Sequence, residues 1–111
     1  MSAKNLQEGI IMSPRISVDK EKIKAFCRKW KVKELALFGS VLTDEFRPES
    51  DVDVLVVLAE DAKWDLGDYL DAQDELKEIF GREVDLVQKN ALRNPFRRHH
   101  ILNHHEVIYA A

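Results

Sequence analysis

Cysteine is almost missing from this 111-residue chain. Cys27 stands alone, so no internal disulfide forms. The opening residues lack the charged-then-apolar pattern of a leader, and the two absences together give a reducing cytoplasm as the expected location. No apolar run approaches the roughly 20 residues that cross a bilayer as a helix. The longest, residues 54–59, suits a core strand, so no membrane partner is expected. A dominant charge is lacking too: 17 Lys and Arg against 20 Asp and Glu leave −3. That balance falls short of the strongly basic face of a nucleic-acid binder, and direct nucleic-acid binding is not expected. Repeats, low-complexity tracts and linkers are absent as well, which leaves one compact domain at this length.

What is present is a series of alternating patterns. Residues 1–16 carry little periodicity and include Pro14, so they read as an N-terminal tail or extended lead-in before a domain over residues 17–111. Ser17 is a candidate N-cap for a helix in which Ile23, Phe26, Cys27 and Trp30 recur at spacings of three and four. Residues 34–38 form a short apolar run that ends at Gly39, the profile of a strand turning into a short helix. Residues 51–58 are the strongest strand, since Val and Leu fill nearly every position after the acids, and a central place is expected for it. A helical stripe through residues 65–80 stops at Gly81. A third strand follows at residues 83–88, then a helix opened by Asn94 and Pro95 and running to about His104, then a short closing strand at residues 106–109. The first two strands are joined by little more than a turn, which favours antiparallel pairing. The expected architecture is α/β of the α+β kind, a mixed β-sheet with helices packed mainly on one face.

The chemistry concentrates between the first two strands. Gly39 and Ser40 form a turn into a helix start, where glycine lets backbone approach a phosphate and the following amides favour anions. Asp51 and Asp53 lie two residues apart on a strand, so their side chains project to one side while Val52 and Val54 project to the other. Asp85 is the best third acid, an isolated carboxylate in an apolar strand, where burial without a cation is costly. Carboxylates that share two metal ions about 3.5–4 Å apart are what nucleotidyl transfer needs, and hard oxygen ligands point to magnesium.

Gly39 and Ser40, then Asp51 and Asp53 after a spacer, then Asp85 on a later strand make the chain resemble the polymerase-β-like nucleotidyltransferases, and in particular the minimal nucleotidyltransferase (MNT) antitoxins encoded beside HEPN-type toxins. The resemblance covers most of residues 17–111. It implies the fold of that family and transfer of AMP from Mg-ATP to a tyrosine hydroxyl of a cognate HEPN-type ribonuclease. Gly39 and Ser40 would hold the β and γ phosphates. Asp51 and Asp53 would hold two Mg2+ ions, and Asp85 the catalytic one while accepting the acceptor's proton. Many relatives place an arginine three residues after the serine, where this chain has Thr43. Arg47 is the candidate to reach inward in its place. Two other readings follow: a catalytically weak antitoxin that neutralises its toxin by binding, and nucleotidyl transfer to a small hydroxylated molecule such as an aminoglycoside.

Other features have plainer readings. His99, His100, His104 and His105 resemble a metal cluster, but adjacent histidines leave a helix on different faces, so a solvated or partner-facing helix is preferred to zinc. Lys89, Arg93, Arg97 and Arg98 read as a solvated basic stretch, and the acids of residues 65–78 as a solvated acidic face. Trp30 and Trp64 read as packing residues.

Overall fold

The structure, a computed structural model, describes residues 10–12 and 16–111. The tail expected over residues 1–16 falls mostly outside the described residues. Within it, strand β1 (Ile10–Met12) pairs antiparallel with β2 (Ser17–Asp19). This pairing moves the helix start. Ser17 lies in β2, and helix α1 (Lys20–Trp30) is capped by Asp19, whose carboxylate accepts from the amides of Glu21 at 3.0 Å and Lys22 at 3.3 Å. An aspartate satisfies the open amides of a first turn as well as serine does, and neighbouring strand pairing selects between them.

Strand β3 (Val32–Phe38) passes through a 3-10 turn, Gly39–Leu42, and returns as β4 (Val52–Leu58). Helix α2 (Leu66–Phe80) carries the chain across to β5 (Val84–Gln88), and α3 (Pro95–Asn103) leads into β6 (His105–Ala110). The four main strands lie in the order β5-β4-β3-β6, with β4 parallel to β5 and the other pairs antiparallel. β4 is internal, as its valine content demands. Helix ends follow local chemistry. Asp65 and Asp68 form a reciprocal capping box on α2, Gly81 closes it at φ +71°, and Asn94 accepts from the amides of Phe96 and Arg97 at the start of α3.

Alternation along the strands divides the sheet into two faces. Leu35, Leu37, Val52, Val54, Val56, Val84 and Leu86 point to the main core, where Ile23, Phe26 and Cys27 of α1 and Ala72 and Leu76 of α2 meet them. Burial pushes the Cys27 thiol up to about 12, so it stays protonated and inert among these side chains. Ala36, Phe38 and Leu55 point the other way and form a smaller cluster with Leu92 and with Ile101 of α3. Two helices therefore cover one face and a short one covers part of the other. Trp30 and Trp64 meet edge to face at 5.8 Å within the main layer, and the Trp64 indole donates to the Trp30 carbonyl. Glu75, expected on a solvated face, instead accepts from Lys29 at 2.9 Å and from the Trp30 indole at 3.2 Å, joining α2 to α1. Among the described residues no helix is long and apolar enough to cross a membrane.

Candidate active site

The acids belong to the less covered face. Residues opposite one another in a ladder project to the same side, and the registers place Asp85 opposite Asp53, Asp53 opposite Phe38, and Phe38 opposite His105. One row thus runs across all four strands with two carboxylates at one end and an imidazole at the other. Asp51, two residues before Asp53, continues the acidic end. Gly39 follows Phe38 at φ +79°, a left-handed backbone that favours glycine. A Cβ built there would lie 2.2 Å from Oδ2 of Asp53. The missing side chain is the space that the Asp53 carboxylate occupies.

Electrostatics single out Asp53. Its pKa is raised from 3.8 to about 6, first by burial and then by the negative charges of Asp85 and Asp51, with the Arg97 guanidinium opposing them. A carboxylate raised by like charges gains from any cation brought beside it. The donor set of hard carboxylate oxygens fits magnesium in kind. Among the described residues no three His, Cys, Asp or Glu side chains stand close enough to enclose an ion as they are. The backbone register therefore brings the acids to one edge, while their carboxylates remain open.

Asp85 is held by a clamp that the sequence did not advertise. The Tyr69 hydroxyl donates to the Leu86 carbonyl, and the Leu86 amide donates to Gln73 Oε1 at 3.1 Å. Both backbone groups next to Asp85, on an edge strand, are thereby tied to α2. Burial and the Asp85 charge together raise the Tyr69 phenol above its usual range.

Ser40 is half-buried, and its backbone carbonyl accepts from the Thr43 hydroxyl at 2.9 Å. Arg47 lies exposed in the loop before β4. Its amide donates to Ser50 and its carbonyl accepts from Arg82, so the backbone, rather than the guanidinium, is what the turn uses. The cation that the fold sets against Asp53 is Arg97, one helical turn before buried Ile101 on the same face of α3. Its signal in the sequence was that spacing of four from an apolar residue, hidden within a basic stretch. Next to Gly39 and Ser40 opens a cleft of about 730 Å3, with Thr43 on one wall and His100, Asn103, His104 and His105 on the other.

Comparison with known proteins gives the family and the fold. Residues 19–108 match the nucleotidyltransferase domain family. A Methanocaldococcus jannaschii protein described as a "putative protein adenylyltransferase" is 40% identical over 68 residues, which span 61% of this chain and 68% of that relative. The fold recurs in a toxin-antitoxin crystal structure with AMP-PNP, at a TM-score of 0.66 and 20% identity over 83% of this chain and 73% of that one. It recurs again in the tri-AMPylated Shewanella oneidensis HEPN toxin in complex with its MNT antitoxin, at a TM-score of 0.58 and 20% identity over 83% of this chain and 70% of that one. Because the family model spans most of its length, the chain belongs to the nucleotidyltransferases.

Proposed function

We propose that the protein is an adenylyltransferase antitoxin, which transfers AMP from Mg-ATP to a tyrosine hydroxyl of a cognate HEPN-type toxin. The observation that carries this reading is the in-register pairing of Asp53 with Asp85 beside Gly39, with Asp53 raised to about 6. The curated relative's name and the AMPylated toxin complex support it. The acceptor oxygen attacks the α-phosphorus, the bond to the bridging oxygen breaks, and pyrophosphate leaves. Asp85, at the open edge of the sheet, takes the hydroxyl proton. Asp51, Asp53 and Asp85 would hold magnesium, which supplies charge neutralisation on the phosphates when bound. Gly39 and Ser40 present backbone amides and a hydroxyl to the phosphates beyond the reacting one. Catalysis of this kind is mostly positioning and charge stabilisation.

Incubation of the protein with α-labelled ATP, magnesium and the toxin encoded beside it should label the toxin, and the combined Asp51→Asn and Asp53→Asn variant should not. Label transfer that persists unchanged in that variant removes the mechanism. Among the described residues the cleft beside Ser40 is lined by Thr43 and by no Lys or Arg, which favours one second reading, an antitoxin that neutralises by occlusion alone. A double variant that protects cells as fully as the wild type would select that reading.

A further inference from the structure

We propose that the histidines at the junction of α3 and β6 hold the pyrophosphate end of the bound nucleotide in the cleft beside Ser40. The inference rests on the nucleotidyltransferase reading above and adds to it the groups that grip the leaving half of the substrate.

Direction comes from the cross-strand row. In phosphoryl-type transfer the attacking and leaving oxygens lie on opposite sides of the phosphorus. Asp85, which receives the acceptor's proton, stands at the β5 end of the row, and His105 at the β6 end. A phosphorus seated at Asp53 with its acceptor toward Asp85 sends its leaving group past Gly39 and Ser40, toward β6. The cleft of about 730 Å3 begins there.

Charge comes next. Pyrophosphate is polyanionic, yet among the described residues the walls of this cleft contain no Lys or Arg and do contain Glu45 and Glu106. The side chains there able to carry positive charge are the imidazoles of His100, His104 and His105. Two of these rings are already oriented. Nδ1 of His104 lies 2.9 Å from the His100 carbonyl, and Nδ1 of His105 lies 3.2 Å from the Ile101 carbonyl. A carbonyl accepts only, so Nδ1 carries the hydrogen in both, and Nε2 is left to donate to a phosphate oxygen from the imidazolium form. The His100 and His104 rings stack at 4.4 Å with 22° between their planes, which fixes the third ring against the second. Oriented rings lose little freedom when a phosphate arrives.

The test is calorimetric titration of the full chain with ATP, ADP, AMP and adenosine in the presence of magnesium. It compares wild type, the combined His100→Ala and His104→Ala variant, and His99→Ala, a control on the same helix but outside the cleft walls. His100 and His104 are exposed, so far-ultraviolet circular dichroism and melting temperature should be unchanged. The double variant should bind ATP about ten- to a hundredfold more weakly, the loss expected for charge-assisted hydrogen bonds, with AMP and adenosine binding unchanged and His99→Ala like wild type. An equal loss for all four ligands would mean that the cleft seats the base and would overturn the proposal. So would unchanged ATP binding in the double variant. Wild type that binds no nucleotide at all would overturn the proposal together with the reading on which it rests, an outcome distinct from the other two.

Discussion

Replacing Gly39 by alanine tests the link between backbone and chemistry at a single atom. The added Cβ would approach Oδ2 of Asp53 to 2.2 Å and Cγ to 3.2 Å. The shorter of these is about 1 Å inside an ordinary nonbonded contact. The same substitution also places a side chain at φ +79°, which costs about 1–2 kcal/mol by itself. Gly81 provides the control, because it has φ +71° and nothing within 4 Å of an added Cβ. Gly81→Ala should therefore lose only the conformational part, about 1–2 kcal/mol, at about 4 °C of Tm per kcal/mol for a domain of this size. Gly39→Ala adds a forced displacement of about 1–3 kcal/mol, a further drop resolvable by calorimetry. If the Asp53 carboxylate swings aside to relieve the contact, the extra drop shrinks but magnesium-dependent AMP transfer falls by about a hundredfold or more, since a reacting group has lost its place. Differential scanning calorimetry and a labelled-ATP transfer assay on both variants decide the matter. A Gly39→Ala protein that melts with Gly81→Ala and transfers AMP at the wild-type rate would refute the argument that this glycine exists to seat Asp53.

Further outcomes follow from the charges around Asp53. Its folded pKa is raised from 3.8 to about 6, so its contribution to stability is full below pH 3.8 and is lost as pH rises through 6. Asp53→Asn should thus raise the Tm of the metal-free protein above pH 6 and leave it nearly unchanged at pH 4. Carboxyl carbon NMR should place the Asp53 midpoint near 6, and lower in Asp85→Asn, where a like charge is gone; a midpoint near 3.8 in the wild type would contradict this. Arg97→Ala removes the opposing cation and should move the midpoint upward, with stability within about 0.5 kcal/mol of wild type because the side chain is exposed. An unmoved midpoint would show that α3 does not act on the acids.

Much of the fold was legible because local rules and burial agreed. The run of valines after Asp53 announced an internal strand, Asp65 and Gly81 bounded α2, and Asn94 with Pro95 opened α3. The start of α1 was misread at Ser17, since two capable caps stand two residues apart and the choice depends on β2 pairing with β1. Asp51 and Asp53 could be placed on one side of their strand from period-two alternation, and Asp85 stood out as an isolated acid in an apolar strand. Whether Asp85 fell beside Asp53 or two residues away depended on the register between β4 and β5, which no local pattern encodes. Arg97 was read in a solvated basic stretch and the histidines on a solvated or partner-facing helix, and Arg97, His99, His100 and His104 are exposed; that Arg97 faces Asp53 and that His100 and His104 line the cleft beside Ser40 rest on residues distant in the chain.

Spacing, caps and alternation are properties of neighbouring residues, and they were enough to place the main strands and helices, the glycine-serine turn and the set of acids available to a cation, though not the β1–β2 pair. Which of those groups meet is a matter of tertiary packing. Strand register set Asp53 against Asp85, the left-handed turn at Gly39 left room for a carboxylate, and the packing of Ile101 brought Arg97 toward the acids and the histidines to the cleft. Those meetings depend on contacts between residues distant along the chain, which are set only when both faces of the sheet bury their apolar side chains together.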